Sequence, residues 1–279
     1  MTALNREWFD NLFDEDTAKV WHDVLSFQCT LFSPGEIAIL KELGMSKESG
    51  PLLDLGCGIG IYSRELKKHF PGLEIVAADT NAALLRRFEA DIKRLRLCGI
   101  RVAKWNAGKE PPPPEVSKCR SALLSVVLQH NQDPKSVLVA LRKSLPSRAS
   151  VFIIDEDDGL VLSDPSCAAF KKVLDAFSTY QAAHGGTRTF GRQIPRLARQ
   201  AGLIVDDARI CAHASGTLGL EPLFKLFKLA LPLIVDGSPH GLRREAAKEL
   251  ARGLDLYVEA HGDHCSIIFP KVIVHAVVP

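Results

Sequence analysis

The chain has 279 residues, 46% apolar and 24% charged, enough to bury one large core, with or without an embellishment, and too apolar for a disordered protein. Its 35 basic and 33 acidic residues leave a net charge of +2, which supplies no long-range attraction to nucleic acid or to an anionic membrane. The seven cysteines are scattered without a CxxC pair, the N-terminus has neither the basic start nor the apolar run of a signal peptide, and no apolar stretch reaches about 18 residues. These features predict reduced thiols, no metal site, no stable membrane insertion and a cytoplasmic location.

Residues 4–45 are expected to be helical: Trp8, Phe9, Leu12 and Phe13 recur at helical spacing, as do Val20, Val24 and Phe27. A break is expected at Ser33-Pro34-Gly35, and 46–50 reads as a polar link. From Pro51 strands and helices alternate. Strands are predicted at Leu52–Leu55, Glu74–Ala78, Arg101–Trp105, Ala122–Leu128 and Val151–Ile154. Helices are predicted at Ile61–Phe70, Asn81–Cys98 and Pro134–Leu145, while the four prolines inside Lys109–Pro114 mark a loop. Pro165–His184 and Arg192–Ala201 should be helical, Leu203–Ala212 a sixth strand, 216–263 a helical block and Ser266–Val278 the last strand. The fold class is therefore α/β: a doubly wound, mostly parallel, seven-stranded sheet with N-terminal helices and a helical insertion before the last strand. The domain division is 1–50 as a helical cap, 51–215 with 264–279 as the sheet domain, and 216–263 as an insertion serving as a substrate lid.

The segment that carries most information is Leu52-Leu53-Asp54-Leu55-Gly56-Cys57-Gly58-Ile59-Gly60. A buried strand enters a turn whose glycines admit positive φ and let a ligand touch the backbone, and a helix begins at once. The second strand ends at Asp79, 19 residues after Gly60, where a carboxylate can accept from a ribose diol. A nicotinamide fold would use GxGxxG and hold a pyrophosphate at the helix N-terminus; here the spacing is GxGxG, and Asp54 precedes it. A carboxylate beside the loop suits a cationic ligand better than a pyrophosphate.

LLDLGCGIG followed by VAADTN resembles the nucleotide loop and second-strand motif of class I S-adenosylmethionine-dependent methyltransferases. Ser125-Val126-Val127-Leu128-Gln129-His130 with Asn131-Gln132-Asp133-Pro134 is similar to the run after the fourth strand in the ubiquinone and menaquinone branch, which acts on small molecules. Ser144-Leu145-Pro146 and Val151-Phe152-Ile153-Ile154-Asp155 resemble that branch's turn and fifth strand. The resemblance spans roughly 50–215 and the last strand. It implies S-adenosyl-L-methionine as cofactor, with Gly56, Cys57, Gly58 and Gly60 packing on its methionine part and Asp54 assisting the amino group. It also implies Asp79 on the ribose, Thr80, Asn106 and Ala107 near the adenine, and Ser125 offering backbone contacts. Asn106 stands where the family usually has aspartate, Arg120-Ser121 where it often has Phe-Asp, and Ser147-Arg148 where it has two glycines.

Three residues are candidates for acceptor chemistry. His130, at the end of the fourth strand, could take a proton from a hydroxyl or ammonium; the plainer role is a structural histidine. Asp155 and Glu156 open the run Asp155-Glu156-Asp157-Asp158 and could orient substrate, although a solvated acidic loop is the simpler expectation. Arg188 and Arg192 could bind an anion or lie in a surface turn. The apolar run 221–235 could be core, a lid, a homodimer contact or a membrane-docking face with Lys225 and Lys228 at its edge. No DPPY-like run follows the fourth strand and no basic stripe is present, which argues against a nucleic-acid substrate. The expected activity is transfer of a methyl group to a small organic acceptor, the apolar insertion favouring a lipophilic, quinone-like or secondary-metabolite molecule. The rivals are a nicotinamide-dependent oxidoreductase and a non-catalytic cofactor-binding regulator.

Overall fold

The computed structural model describes residues 15–235, 241–262 and 264–279; the expected helical residues 4–14 and part of the 216–263 block lie outside these. The chain forms two compact units. The sheet unit comprises 33–156, 190–211 and 271–279; the helical unit comprises the residues up to Phe32, 157–189 and 212–270. This partition differs from the sequence division: 33–50 lies in the sheet unit, and 157–189 is grouped with the insertion.

In the sheet unit, β1 (Leu52–Leu55), β2 (Ile75–Asp79), β3 (Ile100–Lys104), β4 (Ser121–Ser125) and β5 (Ser150–Glu156) run parallel in the order β3-β2-β1-β4-β5. The last strand, β8 (Ser266–Val277), lies antiparallel beside β5 through its residues Lys271–Val277. β1 is buried at every position and β2 and β4 at all but their last residues, as expected of strands covered on both faces. Between them run α2 (Ile61–His69), α3 (Ala82–Arg94) and α4 (Pro134–Ser144). Asn81 caps α3 by accepting from Ala83 N at 2.8 Å, and Asp133 caps α4 by accepting from Ser136 N at 3.0 Å, with Pro134 in the first turn. The short helix α6 (Ile194–Gln200) precedes β7 (Ile204–Ala214), which pairs with β8. Ile37, Leu40, Leu52, Leu66, Phe88, Leu123, Phe152 and Ile273 form the core on one face of this sheet.

The helical unit gathers α5 (Ala168–Ala183), α7 (Ser215–Leu218), α8 (Leu220–Ala230) and α9 (Arg244–His261) around Phe170, Phe224, Phe227 and Phe269. Phe170 meets Phe227 edge-on at 4.8 Å between ring centroids, and Phe227 meets Phe269 at 5.4 Å. The apolar run of the insertion is the core of this unit: Leu223, Phe224, Leu226 and Phe227 of α8 are buried. Its two lysines are engaged, Lys225 over the Phe27 ring and Lys228 with Asp255.

Three expectations change. The helix α1 (Glu15–Glu42) continues through Pro34 instead of breaking there. Phe32 is buried in the aromatic core and Ile37 in the sheet core, so burial on both sides offsets the lost backbone hydrogen bond. An additional strand, β6 (Leu162–Asp164), pairs antiparallel with Ser266–Ile268, giving eight strands among the described residues. The fourth strand stops at Ser125 rather than Leu128, because Val126 takes φ +57° and Leu128–His130 close a 3-10 turn.

Candidate active site

Parallel strands place their carboxyl ends along one edge of a sheet, and there the glycine loop, Asp79, Asn106, Ser125 and Asp155 fall together. Gly56 leaves β1 at φ +81°, and its N–H donates to Ala78 O at 2.7 Å, tying the loop to β2. Gly60 sits at φ +72° at the N-cap of α2, with its Cα so close to the Phe88 ring that a Cβ would enter it. Gly58 (φ +53°) differs: nothing lies within 4 Å of where its Cβ would be. Gly56 and Gly60 are therefore required by the protein's own packing, and Gly58 faces open space that a ligand can occupy.

Asp79 organises this loop. Its Oδ2 accepts from Gly58 N at 2.8 Å and its Oδ1 from Asn81 N at 2.9 Å. Burial raises its pKa, and the amides of Asn81, Gly58 and Thr80 partly offset that rise. Asp54, 2% exposed on β1, accepts from the Ser63 hydroxyl of α2. Burial pushes its pKa up to about 6; Ser63 opposes this and the Asp79 charge adds to it. Cys57 is buried beside them, and burial followed by the two carboxylates drives its thiol well above the usual range, so it is no nucleophile at neutral pH. Thr80 is exposed, Asn106 half-buried with its N–H 3.2 Å from Glu110 Oε2, Ala107 buried and Ser125 half-buried.

His130 is half-buried at the end of the 3-10 turn, its Nε2 3.4 Å from the Gln129 side chain. The acidic run is not the solvated loop that its composition suggests. Asp155 and Asp157 are fully buried and Glu156 is 4% exposed. In the sheet unit Asp155 Oδ2 accepts from Leu128 N at 3.1 Å. Glu156 pairs in register with Lys271, whose ammonium bonds Glu36 Oε1 at 2.7 Å. Burial pulls the Lys271 pKa down, but Glu36 and Glu156 outweigh it and hold it above its ordinary value. In the helical unit Asp157 bridges to Thr189 through the backbone, and Asp158 takes Arg188 in two hydrogen bonds of 2.8 and 3.0 Å. Arg188 is thereby committed to an internal carboxylate, not presented to an external anion. Asp155 and Glu156 alternate in face along β5, and Asp157 and Asp158 follow its end. Among the described residues no cluster of three or more His, Cys, Asp or Glu could hold a metal ion.

Residues 53–150, from β1 to the start of β5, match the methyltransferase domain family. This stretch is similar to a methyltransferase domain. The chain as a whole has the fold of solved S-adenosylmethionine-dependent enzymes. Phosphoethanolamine N-methyltransferase 2 of Haemonchus contortus, with S-adenosylhomocysteine bound, superposes with a TM-score of 0.58 at 18% identity over 99% of this chain and 60% of that one. Geranyl diphosphate C-methyltransferase of Streptomyces coelicolor gives 0.53 at 14% identity, over 88% of this chain and 80% of that one. The [4+2]-cyclase SpnF gives 0.52 at 15% identity, over 82% and 74%. The chain spans about 60% of the nematode enzyme's length. No curated protein matches its sequence.

Residues 53–150 contain the glycine loop, the β2 acid and the turn after β4, all of which are legible as motifs. Two participants carried no motif. Ser63, three residues into α2, holds Asp54, and Val127 packs where a Gly56 side chain would stand. Both depend on how α2 and β4 meet the loop. No helix among the described residues is long and apolar enough to cross a membrane.

Proposed function

We propose that the chain is an S-adenosylmethionine-dependent methyltransferase acting on a small organic acceptor. The observation that carries this reading is the glycine loop: Gly58 opens onto free space while its amide is fixed by Asp79. Two carboxylates, Asp54 and Asp79, flank that opening; burial makes each costly to ionise, and the Asp79 charge adds to the cost at Asp54. A ligand with a sulfonium and an ammonium relieves that cost, whereas a pyrophosphate would add to it, so the donor set fits the cofactor. Gly56, Cys57, Gly58 and Gly60 would hold its methionine part, Asp54 its amino group through the loop, Asp79 its ribose, Thr80, Asn106 and Ala107 its adenine, and Ser125 would contribute backbone contacts. When bound, the cofactor supplies an electrophilic methyl group for in-line displacement by an oxygen, nitrogen or carbon nucleophile.

The protein's own residues position that exchange and keep water away. Among the candidates His130 retains exposed surface at the carboxyl end of β4 and is the residue we assign to the acceptor side. Asp155 and Glu156, buried against protein partners, act behind that surface. A small acceptor is supported by the neighbours, one named for phosphoethanolamine and another for geranyl diphosphate. Within that class the ubiquinone and menaquinone branch rests on the 125–134 segment.

The experiment is calorimetry with S-adenosylhomocysteine and NAD, followed by an acceptor panel scored for S-adenosylhomocysteine release. Binding of S-adenosylhomocysteine alone, with turnover on a small molecule, is expected. Absence of heat with S-adenosylhomocysteine sinks the reading. SpnF, a cyclase on the same fold, makes a second outcome specific: cofactor binding without methyl transfer to any acceptor would place the chain beside it.

A further inference from the structure

The geometry points to Asp155 as a positioning residue that holds the turn after β4, and through that turn the wall of the cofactor loop. The inference rests on the loop being an S-adenosylmethionine site. Asp155 is the penultimate residue of β5 and alternates in face with Glu156. It is 0% exposed, and its Oδ2 accepts from Leu128 N at 3.1 Å, with the Gln129 amide beside it. Among the described residues its Oδ1 has no hydrogen-bond partner. A buried carboxyl with one unsatisfied oxygen is a costly way to fill a core position, and an aliphatic side chain would fill it better.

What the carboxyl holds is strained. Val126 is β-branched and sits at φ +57°, a left-handed conformation that an L-residue with a branched Cβ adopts only under constraint. Its N–H donates to Ile154 O at 2.7 Å, in the residue before Asp155. The left-handed step turns Val127 onto the glycine loop, where a Cβ on Gly56 would lie 2.5 Å from Val127 Cγ2. A continuous set of contacts thus joins β5 to the loop: Asp155 to the Leu128 and Gln129 amides, these to the turn, and Val127 to Gly56. Strain of this kind persists only where surrounding bonds over-determine it, and Asp155 supplies those bonds on the C-terminal side of the turn. Asp155 acts as a positioning residue: it fixes the turn whose Val127 packs against Gly56 of the glycine loop.

The test is titration of wild type, Asp155→Asn and Asp155→Leu with S-adenosylhomocysteine, beside hydrogen exchange at the Leu128 and Gln129 amides. Asparagine keeps an acceptor for the Leu128 amide, so its Kd should stay within about threefold of wild type. Leucine keeps the volume and removes the acceptor, so its Kd should rise tenfold or more, with faster exchange confined to those two amides. A merely space-filling role predicts the reverse order. Should Asp155→Leu not fold, Val127→Ala tests the other end of the contact chain and should weaken binding at least fivefold. Binding within twofold of wild type in Asp155→Leu, or in Val127→Ala where the former is unavailable, overturns the proposal. Failure of wild type to bind S-adenosylhomocysteine overturns the cofactor reading instead, and the two amides still report whether Asp155 holds the turn.

Discussion

Replacing Asp54 by asparagine should strengthen the fold and weaken the cofactor site. The carboxyl is 2% exposed and its pKa stands at about 6, against an ordinary 3.8. The folded state therefore binds the proton more tightly than the unfolded one. Stability is highest below the ordinary value and is lost as pH rises toward 6. At about 1.4 kcal/mol per unit, the ionised carboxylate costs roughly 3 kcal/mol at pH 8. Asparagine cannot ionise and can still accept from Ser63. Asp54→Asn should then gain up to about 3 kcal/mol at pH 8 and almost nothing at pH 4. At about 2–4 °C per kcal/mol for a domain of this size, that is a rise in Tm of roughly 6–12 °C at the higher pH only. Thermal melts of both proteins at pH 4 and 8, with S-adenosylmethionine titrations at pH 8, are the assay. Affinity should fall about tenfold or more, since the negative charge that favours a cationic ligand is gone. An unchanged Tm at pH 8, or an equal change at both pH values, refutes the burial argument. Stability lost for function is common where a site needs a charge that the fold does not.

The two ends of the glycine loop should respond differently to a methyl group. Gly60→Ala drives a Cβ into the Phe88 ring at φ +72° and should cost more than about 2 kcal/mol in denaturant melts. Gly58→Ala meets open space at φ +53°, so its stability cost should be only about 1–2 kcal/mol, while its S-adenosylhomocysteine Kd rises at least tenfold. Lys271→Met leaves Glu36 and Glu156 buried without their cation and should cost about 3–5 kcal/mol near neutral pH. Adding Glu36→Gln should recover part of that loss. No recovery in the double mutant would show that the lysine is held by packing alone.

Much of the sheet unit could be read directly because its information is local. Glycines at 56, 58 and 60 demand positive φ, Asn81 and Asp133 cap the helices that follow, and each strand is a short apolar run between such signals. The order of elements then implies a parallel sheet, whose carboxyl edge gathers the loop and Asp79. Tertiary structure decided everything that depends on what a side chain is buried against. Pro34 punctuates a helix in sequence, yet α1 passes through it because Phe32 and Ile37 are anchored in separate cores. Four consecutive acids suggest solvent, yet Asp155 accepts from the Leu128 amide, Glu156 lies in register with Lys271, Asp157 is buried at a backbone bridge to Thr189 and Asp158 bonds Arg188. The run 221–235 could by composition be core, lid, homodimer contact or membrane-docking face; its packing against the aromatic rings of α5 and β8 makes it core. Backbone chemistry is written residue by residue, whereas the partner of a buried charge or ring lies tens or hundreds of residues away, and only the folded chain brings the two into contact.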